Sequence, residues 1–91
     1  KGPLPQIAEG PERADAVLRF AEAQAAQGNT AEALRLYKSL LNDPAPHVQC
    51  AAVIGLSKLR TADAATAILP KLKSDNATVR ITAKSAWKSM A

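Results

Sequence analysis

Only one cysteine, Cys50, occurs in the 91 residues, and a single thiol closes no intramolecular disulfide, so this is not a small disulfide-stapled domain. Strand formers are scarce: four valines, four isoleucines and three aromatics (Phe20, Tyr37 and Trp87) argue against a β-sheet core. Long apolar runs are missing as well. The longest stretch without a charge, residues 44–57, has 14 residues and two prolines, too short to cross a bilayer as a helix. The chain opens on Lys1-Gly2, with neither an initiator methionine nor an apolar leader with a cleavage signature. We therefore expect a piece of a longer protein, and the compartment stays open.

What is present forms helices. Twenty alanines and ten leucines make up a third of the chain, and the expected class is all-α. At this length one compact unit is the ceiling, which excludes an enzyme with separate cofactor and substrate domains. The net charge of +4 is unevenly placed. Residues 1–45 carry five Lys/Arg and six Asp/Glu, net −1; residues 46–91 carry seven Lys/Arg against Asp63 and Asp75, net +5. The second half is basic.

Residues 1–11, with three prolines and two glycines around Leu4 and Ile7, suit an irregular lead-in. Pro11 fits a first helical position, and Ala14, Val17, Leu18, Ala21 and Ala25 then recur at helical spacing to about Gln27, where Gly28 ends the helix. Asn29 and Glu32 predict a capping box for a second helix with Ala33, Leu34, Tyr37, Leu40 and Leu41 on its apolar face. Asp43-Pro44-Ala45-Pro46 stops it, because proline lacks a donor and disfavours α geometry in the residue before it.

A third helix is expected over 46–59, with Val48, Ala52, Gly55, Leu56 and Leu59 as its stripe. Gly55 at mid-helix costs about 1 kcal/mol relative to a better helix former, which predicts close approach of a neighbouring helix. Thr61 is the expected cap of a fourth segment over 62–74, kinked or broken at Pro70, and Ser74-Asp75-Asn76 that of a fifth over 77–90. In the fifth, Val79, Ala83, Ala86, Trp87 and Met90 fall on one face; Val79, Ala83, Trp87 and Met90 should look back into the stack, and Ala86, like Ile81, partly elsewhere. Phe20, Tyr37 and Trp87 are each spaced like core residues.

Like elements recur at 31 residues. This shift aligns Val17 with Val48 and Val79, Ala21 with Ala52 and Ala83, Thr30-Ala31 with Thr61-Ala62, and Leu41 with Leu72. Pairing residues 12–60 with 43–91 gives nine identities in 49 pairs, against roughly four expected by chance from so alanine-rich a composition. The matches fall at equivalent places in helix, turn and helix, as stacked two-helix units require.

Residues 43–91, with PHVQCAAVIGL and then AILPKLKSDNATVRITAKSAW, resemble HEAT-like repeats of the kind found in bilin-lyase-like proteins: an aspartate turn, a Val-Arg pair, small residues and a second helix. Residues 14–44 look more like a tetratricopeptide repeat, with Gly28 in the turn, Ala33 and Tyr37 on the second helix and a terminating Pro44. They depart from that pattern at Val17, Phe20 and Ala21, where a large aromatic, a leucine and a glycine are usual, and the proline comes one residue early. Both resemblances imply a right-handed α-α superhelix: one domain over 12–91, with hairpins over about 12–42 and 46–74 and an unpaired helix over 77–90.

Candidate chemistry is sparse. His47 and Cys50 lie three apart at a helix start, but two ligands are too few for a metal site, and an ordinary helix-start histidine beside a small half-buried cysteine is the expected reading. Asp63 and Asp75 stand where cap or turn residues belong. Arg80, Lys84 and Lys88 form a basic stripe at four-residue spacing, to which Lys71 and Lys73 add from the preceding segment. The stripe is a candidate nucleic-acid contact. The HEAT-like resemblance instead implies that Arg80 pairs with a turn aspartate, Asp43 or Asp75.

The expected function is a protein-binding or scaffold module of a larger helical-repeat protein, acting through a rigid concave surface. The alternatives are nucleic-acid binding through the basic half and, from the resemblance, a non-catalytic part of a lyase-like enzyme. No catalytic residue, cofactor, metal or membrane partner is expected. The unpaired fifth helix predicts a homodimer through that helix.

Overall fold

A computed structural model describes residues 11–90; of the expected lead-in over 1–11 all but Pro11 lies outside them, and Pro11 is the first residue of a helix. The described residues form five α-helices: α1 Pro11–Ala26, α2 Thr30–Leu40, α3 Pro46–Leu59, α4 Ala62–Ile68 and α5 Ala77–Met90. A 3-10 turn, Leu69–Lys73, continues α4. Pro70 is the reason: without an N–H it cannot continue the α ladder, and the chain tightens into the break expected from its sequence.

The turns follow from single residues. Gly28 closes α1 at φ +87°, a left-handed conformation open to glycine. Asp43 Oδ1 accepts the Ala45 N–H at 2.8 Å, holding the chain extended ahead of Pro46, the first residue of α3. Thr61 Oγ1 accepts the Ala64 N–H at 3.1 Å, and Asn76 Oδ1 accepts the Val79 N–H at 3.1 Å, so α4 and α5 are side-chain capped as expected.

The capping box at α2 does not form. Asn29 precedes the helix, but its Nδ2 donates to Gln24 Oε1 at 2.8 Å and its backbone N–H to the Gln24 carbonyl at 2.8 Å. The turn at Gly28 folds Asn29 back over the end of α1, where its side chain is turned to Gln24 and caps no α2 amide. Glu32 accepts instead from Arg35 Nε, at 3.2 Å.

α1, α3 and α5 form one layer, and α2 and α4 lie against it as the second. α1 packs on α2 and α3, α3 on every other helix, and α1 does not reach α5. The result is an all-α solenoid segment measuring 48 × 31 × 13 Å. Its core repeats the 31-residue register: Ala21, Ala52 and Ala83 are all 0 % exposed, as are Ala33 and its counterpart Ala64. Leu56, Ile68, Val53 and Val79 are the largest fully buried side chains, each worth about 1.5–3 kcal/mol on burial. Gly55 takes the ring of Tyr37 against its backbone. Arg60, left-handed at φ 54°, ends α3 and donates from Nη1 to the Ser89 carbonyl of α5 at 3.1 Å.

Two orientations differ from expectation. Phe20 is 52 % exposed; it sits one residue, about 100°, round α1 from the core residue Ala21, on a flank that neither α2 nor α3 covers. Ala86 is buried, because α5 leans on α3 with this side.

Candidate interaction surface

Shallow grooves run between successive helices of the first layer. The groove between α1 and α3, about 610 Å³, is walled by Glu22 and Ala25 on one side and Ala51, Ile54, Gly55 and Lys58 on the other, with Tyr37 reaching in from α2. The groove between α3 and α5, about 430 Å³, has Ile54 and Ser57 on one wall and Ile81, Thr82, Ser85, Ala86 and Ser89 on the other. These are one groove repeated: Thr82, Ser85, Ala86 and Ser89 stand 31 residues beyond Ala51, Ile54, Gly55 and Lys58. Ile54 belongs to both walls and is 46 % exposed, and Ile81 is 65 % exposed. In the first groove, burial and then the Glu22 carboxylate push the Tyr37 phenol above the usual tyrosine pKa, since both disfavour the phenolate.

A third hollow, about 500 Å³, opens on the other side of α5. Leu72 of the 3-10 turn, Ile81 and Trp87 supply its apolar lining, and Arg80, Lys84 and Lys88 its charge. Three of the five stripe residues thus come together. Lys71 goes elsewhere: its Nζ donates to Gln49 Oε1 of α3 at 3.3 Å, while Gln49 Nε2 donates to the Asp43 carbonyl at 2.7 Å. Lys73 is exposed but does not line the hollow. Arg80 does not make the aspartate pair that the resemblance implied. Its Nη1 donates to the Ser74 carbonyl at 2.8 Å, an acceptor in the turn just before its own helix, and Asp43 is engaged with Ala45.

Among the described residues the ion pairs are Arg19–Asp15, at 3.5 Å, and Arg35–Glu32, both on exposed helix faces. Pairs of this kind add little stability. His47 is exposed in the first turn of α3 and Cys50 is half-buried one turn on; Asp63 and Asp75 are exposed. Among these residues no three His, Cys, Asp or Glu gather as a metal site would require, and no helix is long and apolar enough to cross a membrane.

Sequence reasoning overlooked Ile54. Its signal was an isoleucine off the core stripe of α3, two residues from Ala52, so that helical geometry turns it outward.

Compared with known proteins, the chain matches a family model described as HEAT repeats over residues 4–87, a span that takes in the 14–44 hairpin as well as the second half. No curated protein and no solved structure matches.

Proposed function

Because the chain belongs to the HEAT-repeat family, we propose that it is a protein-binding module, holding a segment of another protein along the groove between α3 and α5. Stacked helical repeats generally serve as protein-binding or scaffold surfaces, and their mechanism is display: a fixed array of side chains, with no covalent step.

One observation carries the choice of surface. Ile54 and Ile81 stand in the open on facing walls of a groove whose rim is Ser57, Ser85 and Ser89. Covering what remains exposed of the two isoleucines would contribute about 1 kcal/mol or more apiece. The serine hydroxyls can meet a partner's backbone, which favours a peptide or helix laid along the groove. This reading is preferred to nucleic-acid binding because only Arg80, Lys84 and Lys88 of the five stripe residues share a hollow, and that hollow has an apolar lining. Three phosphate contacts release few counterions, so they make a weak electrostatic anchor.

The test is site-specific cross-linking. A photoreactive residue replacing Ile54 should give a discrete covalent adduct with a partner protein in cells, and the same residue replacing exposed Thr66 of α4 should not. Equal, diffuse labelling at both positions would remove the α3–α5 groove as the binding surface.

A further inference from the structure

We propose that the hollow on the other side of α5 seats an acidic amphipathic helix of a partner protein. The inference extends the protein-binding reading to a second surface, across α5 from the Ile54 groove, and each can fail without the other.

The repeat itself shows what kind of object lies on this face. One repeat back from Ile81, Lys84 and Trp87 stand Cys50, Val53 and Leu56. Val53 and Leu56 are fully buried, in a helix that packs against α4 and α5. The face of α3 that corresponds to the hollow is therefore covered by helices, and a helix is the shape that fits it. From Arg80 to Lys88 the hollow runs about 12 Å along α5, room for two turns of a partner.

The chemistry of the occupant follows from the differences between the two helices. Where α3 has Gln49, Val53 and Ser57, α5 has Arg80, Lys84 and Lys88. A helix built like α5's own neighbours would bring apolar side chains against Lys84, whose charge would then lose water with nothing in return. A helix with an apolar strip for Leu72, Ile81 and Trp87 and carboxylates beside that strip satisfies both parts of the lining. Among the described residues no carboxylate lines the hollow or pairs with Arg80, Lys84 or Lys88. The Arg80–Ser74 bond holds one guanidinium nitrogen and leaves others to donate. A second copy docking by the same face would set Arg80, Lys84 and Lys88 against themselves, so charge favours an acidic partner over the two-fold dimer expected from the unpaired helix.

The test uses two designed tryptophan-free peptides of about 18 residues, five helical turns. Both carry leucines at positions i, i+3, i+4 and i+7; one has glutamates flanking the leucines and the other lysines. Trp87, the single tryptophan, reports binding by its fluorescence. The glutamate peptide should shift Trp87 emission, and its affinity should fall with added salt. Lys84→Glu/Lys88→Glu, at two exposed positions, should keep the helical circular-dichroism spectrum, weaken the glutamate peptide about tenfold or more, and bind the lysine peptide instead. Equal affinity of both peptides for the parent, or no change on charge reversal, would overturn the proposal. So would duplex DNA that displaces the glutamate peptide at lower concentration, which would assign the hollow to nucleic acid. Self-association that quenches or shields Trp87 without peptide would assign it to a second copy.

Discussion

Gly55 of α3 lies so close to Tyr37 of α2 that a Cβ added to it would overlap Cε1 and Cζ of the ring and come within 2.9 Å of Cδ1. A helix-interior glycine is normally improved by alanine, by about 1 kcal/mol, but here the methyl meets the buried Tyr37 ring, which would have to be displaced from its packing. Overpacking of this kind costs about 1–3 kcal/mol, so the clash should win. Gly55→Ala should lower the urea midpoint of unfolding, whereas in a Tyr37→Leu background the same change should be neutral or stabilising. A Gly55→Ala variant as stable as the parent would mean that the two helices are not in this contact.

Ala52 tests the register in the same way. Ala21, Ala52 and Ala83 are each sealed from solvent on consecutive helices of one layer. Ala52→Leu should cost about 1–3 kcal/mol, read from thermal unfolding, because the inserted atoms must separate the central helix from its neighbours. An unchanged melting curve would contradict the stacking.

Thr61 and Asn29 each stand immediately before a helix but differ in what they bond. Thr61→Ala removes an acceptor from a helix amide and should cost about 1 kcal/mol. Asn29→Ala loses only an exposed side-chain bond to Gln24 and should cost clearly less. Equal losses in chemical denaturation would restore the capping box that the structure does not show.

These contrasts mark where the sequence was readable. Pro44, Pro46, Gly28, Thr61 and Asn76 punctuate the chain through local backbone chemistry, and the helix limits they imply agree with the structure. The alanine triad was visible because it repeats. Asn29 was misleading because a side chain five residues upstream competes for it, and spacing rules for caps look only downstream. Phe20 was misread because periodicity orders residues round a helix without saying how wide a flank the neighbours cover. Within the basic stripe, four-residue spacing found Arg80, Lys84 and Lys88. It could not show that Leu72 arrives beside them from the 3-10 turn, or that Gln49 draws Lys71 away.

Alkaline pH should probe Tyr37. Its folded-state pKa is raised, by burial first and the Glu22 carboxylate second. The folded chain therefore keeps a proton that the unfolded chain releases. The stability tied to that proton is complete below the unfolded tyrosine value of about 10 and is lost as pH rises from there through the folded value. Unfolding free energies measured from about pH 8 upward should fall above that value more steeply for the parent than for Tyr37→Phe. Parallel curves would show that the phenol ionises as freely folded as unfolded.

Arg60 separates a backbone effect from a side-chain one. Both Arg60→Ala and Arg60→Gly lose the bond to the Ser89 carbonyl, but only alanine keeps a Cβ at positive φ. The glycine variant should be the more stable by about 1 kcal/mol in thermal or chemical unfolding. The reverse order would mean that the left-handed end of α3 is not held in the folded chain.

α1 and α5 never touch: α1 packs on α2 and α3, α5 on α3, α4 and the 3-10 turn, and α3 is the helix that contacts both ends. Opening one end therefore leaves the other intact, while α3 can open only when both neighbours let go. Amide exchange should accordingly be slowest in α3 and set separately in the two flanks. A partner that clamps α3 to α5 would slow exchange on that side and leave α1 and α2 breathing as before, so occupancy of one end need not be felt at the other.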